Sequence, residues 1–189
     1  MSLERDWQRI AKWYADNTPS GLTLADGASH EQLAAFENAV SQRLPPDFRE
    51  SYLLHNGTGD SFLLYFGELM TLDAIEKIWR RYGEWQDTRS YGIGDDWQTS
   101  AKGPIRPFWW RRSRIPITEN GSGDHVFVDL APAKGGRRGQ LLKYSHETGP
   151  AFVLAESLSA WLAEIASDLE RGKYVYIEHA ETVGLPGMW

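Results

Sequence analysis

The apolar residues of this chain change their spacing twice along its length, and the order of those changes restricts the fold more than any other feature. Through Tyr82 they recur every three or four positions. Between Ile115 and Leu154 they fall into short runs broken by Gly, Asn and Pro, and from Leu158 the longer period returns. Spacings of three and four put apolar side chains on one face of a helix, whereas short runs bounded by turn residues mark strands. Helices, then consecutive strands, then a helix predict an α+β fold: an antiparallel β-sheet meander covered by N-terminal and C-terminal helices, in a single domain.

Leu3, Trp7, Ile10 and Trp13/Tyr14 predict a helix over 3–16, stopped by Asn17-Thr18-Pro19-Ser20-Gly21. Ser29-His30-Glu31-Gln32 has the form of a capping box; it opens a second helix with Leu33, Phe36 and Val40 on one face and Pro45 as its end. Pro46 in a first turn starts a short third helix, with Phe48, Tyr52 and Leu53 inward and Asn56-Gly57 as a left-handed C-terminal cap. Phe62 to Phe66 reads as a strand, and Leu72, Ile75, Ile78, Trp79 and Tyr82 return to helical spacing.

Residues 83–103 lose periodicity and hold Trp85, Tyr91 and Trp97 among glycines and polar residues, so they read as a long loop, a feature more often functional than idle. Strands are expected over 115–118, 125–130, 140–144 and 151–154, with Gly121-Ser122-Gly123 and Lys134-Gly135-Gly136 as turns. Leu158, Trp161, Leu162, Ile165 and Leu169 form the stripe of a last helix, with Arg171 in its final turn and Gly172 just beyond.

Composition narrows the chemistry. With 41% hydrophobic and 24% charged residues over 189 positions, the chain can bury one sizeable core and lacks the signature of disorder. The absence of cysteine removes disulfides, zinc knuckles, iron–sulfur ligation and thiol nucleophiles. No apolar run approaches the roughly 20 residues of a membrane span, and no basic-then-apolar leader opens the chain; a soluble, cytoplasmic protein without a membrane partner is expected. Net charge is −6, yet residues 102–143 hold nine Lys/Arg against three Asp/Glu, leaving the remainder strongly acidic.

Each candidate site has a structural alternative. Asp124, His125 and Asp129 could share a proton or a metal, but strand alternation puts Asp124 opposite the other two and no second histidine completes a ligand set. Asp124 and Asp129 are better read as acceptors for backbone N–H groups of their turns. Gly121-Ser122-Gly123 lacks the lysine and the helix of a phosphate loop and reads as a hairpin turn. Lys102 to Arg114 joins five basic residues to Phe108, Trp109 and Trp110, a composition suited to single-stranded nucleic acid. The acidic whole favours buried tryptophans with arginines reaching outward. No catalytic residue, cofactor, metal or nucleic-acid partner is assigned. The nine tryptophans and eight tyrosines instead suit a protein interface.

Three segments resemble the SUKH superfamily, which includes fungal Smi/Knr-type regulators of cell-wall assembly and bacterial toxin-immunity proteins. They are Leu44-Pro45-Pro46-Asp47-Phe48-Arg49 with His55-Asn56-Gly57; Ile115-Pro116-Ile117 with Gly123-Asp124-His125-Val126-Phe127-Val128-Asp129-Leu130, Pro132 and Gly139-Gln140; and the closing helix from Ala155 to Tyr174. Arg114 departs from the tryptophan that relatives often carry. The resemblance implies a one-sided sheet with helices packed on it, used for binding proteins and not for catalysis. It divides the chain into an N-terminal helical extension (1–28), the α+β domain (29–176) and a C-terminal tail (177–189). The function expected is an immunity protein that binds a cognate toxin domain of nuclease or deaminase type; the alternative is a non-enzymatic regulator or scaffold of cell-wall or signalling proteins. Trp85, Asp87, Tyr91, Asp95, Asp96 and Trp97 are the expected partner contacts.

Overall fold

The computed structural model describes residues 2–90 and 98–188. Helix α1 (Leu3–Asn17) starts where Ser2 Oγ accepts the Arg5 N–H, and it buries Leu3, Trp7, Ile10 and Tyr14 along one stripe. Helix α2 (His30–Val40) opens with the reciprocal box expected of its sequence: Ser29 Oγ accepts from Gln32 N at 3.2 Å, and Gln32 Oε1 accepts from Ser29 N at 2.7 Å. Helix α3 (Pro46–Leu54) follows, with Phe48 stacked on Tyr52 at 4.3 Å between ring centres.

Asn56-Gly57 does not cap α3 as expected. The helix ends at His55 in an extended conformation, and Asn56 Oδ1 instead accepts from Leu72 N at 2.9 Å. It therefore satisfies an orphan donor at the start of a later helix, one that sequence spacing cannot connect to it. Gly57, at φ +96°, sits where a Cβ would lie 2.6 Å from the Leu69 carbonyl oxygen. The Phe62–Phe66 strand is also corrected. Leu64–Phe66 forms a 3₁₀ turn, and the pairing in this region comes from β1 (Glu68–Leu69).

Helix α4 (Leu72–Thr88) outlasts its apolar stripe by more than a turn, so Trp85 and Asp87 are helical and do not belong to a loop. Gly83, a breaker by propensity, is tolerated because its missing side chain leaves room for the Arg112 guanidinium, 2.6 Å from where a Cβ would stand.

The main sheet runs β2 (Arg114–Pro116), β4 (His125–Asp129), β5 (Gln140–Ser145), β6 (Gly149–Ala155), antiparallel throughout; β3 (Thr118–Glu119) leaves it to pair with β1. Register places Ile115 opposite Val128, Phe127 opposite Leu142 and Lys143 opposite Phe152. All five β4 residues are buried, so the sheet is not one-sided as the resemblance implies. On one face Lys143 lies over Phe66, which meets Trp161 of α5 (Leu158–Glu170) edge-on at 5.4 Å. On the other face Tyr82 and Trp109 cover His125, Phe127 and Tyr144 with an aromatic layer. Arg9 ties α1 to α5 through Glu170 at 2.6 Å, and the hairpin β7 (Val175–Ile177) with β8 (Thr182–Gly184) packs back onto the 3₁₀ turn. Each large apolar side chain buried in these layers contributes about 1.5–3 kcal/mol.

Candidate interaction site

Four of the motif residues, Pro45, Asp129, Gly139 and Gln140, meet as a structural joint. Gly139, at φ +94°, places the position of a Cβ 2.9 Å from Pro45 Cγ, and its N–H donates to the Asp129 carbonyl at 2.8 Å. Leu44 N donates to the buried Glu37 carboxylate at 2.8 Å, which Arg49 also reaches at 2.8 Å. Asp129 Oδ1 accepts from Ala131 N at 3.1 Å and closes the turn towards Pro132; its Oδ2 accepts from Gln140 Nε2 at 3.3 Å. Gln140 also donates to the Pro104 carbonyl at 3.2 Å. These residues hold the frame together and leave few polar atoms free for a ligand.

Asp124 does not close its own turn. That task falls to Asn120 Oδ1, which accepts from Ser122 N and Asp124 N, while Asp124 Oδ1 accepts from His146 N at 3.0 Å and so binds the β5–β6 turn to the β3–β4 turn.

His125 is buried and engaged at both nitrogens: Nδ1 lies 2.5 Å from the Thr118 carbonyl and Nε2 lies 2.9 Å from Tyr82 Oη. A carbonyl only accepts, so Nδ1 carries the proton and Nε2 accepts the tyrosine hydroxyl. Burial holds its pKa below the ordinary 6.5, against the pull of the Thr118 carbonyl and Glu119, and pushes Tyr82 up to about 12. With both nitrogens committed, His125 has no lone pair left to share with Asp129 on a metal. Among the described residues no three His, Asp or Glu side chains gather as a metal site would need.

Arg114 departs from the outward-reaching pattern. Only 1% exposed, it donates through its guanidinium to the carbonyls of Phe108 and Arg106, the latter at 2.6 Å. Burial lowers its pKa to about 10, Asp129 opposes that shift and Arg111 adds to it. Arg114 thereby fixes the 106–108 stretch from beneath, and Trp109 and Trp110 are buried in the aromatic layer.

Two clefts flank the end of α4. An aromatic pocket of about 540 Å³ is lined by Tyr82, Trp85, Trp109, Glu119 and His146 among others. A polar cleft of about 770 Å³ lies between Gln86–Arg89 and Arg106, Arg111, Arg112 and Ala131. Half-buried Trp85 leans on Tyr82 at 5.2 Å between ring centres, and exposed Asp87 pairs with Arg112 at 2.5 Å. Of the expected partner contacts, the structure thus brings Trp85 and Asp87 to the rims of neighbouring clefts; Tyr91, Asp95, Asp96 and Trp97 lie outside the described residues. Sequence reasoning missed Arg106, Arg111 and Arg112 as cleft walls. Their clustering was visible, but only the fold brings them opposite the end of α4.

Among the described residues no helix is long and apolar enough to cross a membrane. The chain is 24% identical to the cell wall assembly regulator SMI1 of Saccharomyces cerevisiae, an alignment covering 91% of the chain and 41% of that protein. It is 26% identical to the cell wall biosynthesis/cell cycle regulator smi1 of Schizosaccharomyces pombe, over 97% of the chain and 39% of that protein. With the glucan synthesis regulatory protein of Neurospora crassa it shares 23% identity, over 95% of the chain and 40% of that protein. The chain therefore spans about two fifths of the length of these curated relatives. Residues 27–164 match the SMI1 / KNR4 family (SUKH-1), and the protein belongs to that family.

Proposed function

We propose that this protein is a non-enzymatic binding module that regulates or scaffolds a protein partner, in the manner of the regulators its relatives are named for. The observation that carries the reading is the contrast between frame and rim. The motif residues and His125 are spent on internal hydrogen bonds, while Trp85 and Asp87 stand at the rims of open clefts. The names of the relatives support regulation over the toxin-neutralising reading, since none of those reported above describes an immunity protein. Their greater length makes the activity and partners of the whole proteins a matter for experiment.

The test is capture of a partner by the tagged chain, followed by the variant Trp85→Ala. Loss of an aromatic anchor should weaken binding by roughly thirtyfold, the effect of one interface hot spot of about 2 kcal/mol, with the melting temperature little changed. Undiminished capture would remove the end of α4 from the interface. Rescue of growth by this chain against a co-expressed toxin domain would instead move the reading to immunity.

A further inference from the structure

We infer that the polar cleft beside the end of α4 is a docking groove for an acidic, glutamate- or aspartate-rich segment of a partner protein. This rests on the reading of the chain as a binding module and names the chemistry of what it binds. Arg89, Arg106, Arg111 and Arg112 line the cleft, and the buried Arg114 adds its charge from below. Among the described residues, the carboxylates that interact with them are Asp87, already paired with Arg112, and Asp129, which faces Arg114 and Arg106. The described lining of the cleft thus carries a positive excess on a chain whose formal net charge is −6. Such an island attracts anionic segments and sets their register, because an arginine fork matches a carboxylate edge.

The cleft wall is also preorganised. Arg114 holds the Arg106 and Phe108 carbonyls, Gln140 holds the Pro104 carbonyl, and Arg106 Nε donates to Ala131 O at 3.0 Å. A partner therefore spends little of its binding free energy ordering this wall.

Nucleic acid, the other polyanion, is disfavoured by the aromatic residues. Binding of single strands relies on open ring faces. Trp109 and Trp110 are 4% and 2% exposed, and the Phe108 ring is covered by the Arg111 guanidinium at 4.1 Å from its centre. What remains on offer is charge and hydrogen-bond donors.

The experiment measures fluorescence anisotropy of a short labelled peptide of alternating glutamate and glycine with the full chain, alongside a glutamine–glycine peptide and an oligothymidine of similar charge. The glutamate peptide should bind, weaken as salt rises, and lose roughly tenfold in affinity in the double variant Arg106→Gln, Arg111→Gln, which removes two ion pairs from a partly screened cleft. If that variant melts early, Arg89→Gln, at an exposed position, serves as the second probe. Equal binding of the two peptides, indifference to the arginine variants, or preference for the oligothymidine would overturn the inference. So would a concentration-dependent dimer that the arginine variant abolishes, since a second copy would then be the occupant. If peptide binding fails while the Trp85→Ala variant still loses its captured partner, the groove assignment falls and the binding-module reading stands.

Discussion

At the scale of single residues, His125 shows how burial decides protonation. Its neighbours are Tyr82 and Tyr144 in the aromatic layer and the Glu119 carboxylate, 3.7 Å from Nδ1, with Asp124 and Arg81 acting at longer range. Burial is the largest influence, so the folded protein prefers the neutral ring and its pKa lies below the unfolded 6.5. The unfolded chain then binds more protons than the folded one as pH falls. The contribution of His125 to stability is fully present above about pH 6.5 and is lost as the pH falls from there towards the folded pKa. Urea unfolding between pH 7 and pH 5 should show stability declining, and His125→Gln should flatten that slope. A slope unchanged by the substitution would mean that the ring titrates freely. The sequence placed His125 in a strand correctly, but its partner Tyr82 is 43 positions away, and only the fold supplies it.

At the scale of elements, the five α-helices and the four-stranded meander of the described residues follow the apolar periods closely, because a buried stripe must be written in the residues that fill it. The errors fall where local signals compete with distant partners. The loss of periodicity at Gly83 predicts a loop from there on, yet α4 continues through Gly83 to Thr88, with the Arg112 guanidinium packed where a side chain would stand. Asn56-Gly57 predicts a cap for the helix before it, and Asn56 instead serves the helix whose first N–H lies 16 positions later. Asn56→Ala should therefore lower stability by about 1 kcal/mol, the usual cost of removing a side chain that satisfies a helix's first N–H groups. In amide exchange, the loss of protection should fall on the first turn of α4. Loss at the end of α3 instead would contradict this assignment.

At the scale of the whole molecule, the joint between Pro45 and Gly139 brings the Leu-Pro segment against the β4–β5 turn, 94 positions apart in sequence. Arg138 adds a hydrogen bond to the Arg43 carbonyl at 2.5 Å. Gly139→Ala would force a Cβ to within 2.9 Å of the proline ring at a φ of +94°, and should cost about 1–3 kcal/mol, read as a lower urea midpoint. A midpoint equal to that of the unsubstituted chain would show that the two segments can separate freely. The sequence by itself determined the fold class, the capping box at Ser29 and the turns around Gly121 and Gly135, because each rests on residues a few positions apart. It also carried the family, whose motif residues recur in order. Only the tertiary structure decided that the sheet is covered on both faces, that His125 and Arg114 are buried and spoken for, and that four arginines wall a cleft at the end of α4. The physical reason is common to these: burial and charge density depend on which distant segments pack together, and no local spacing records that choice.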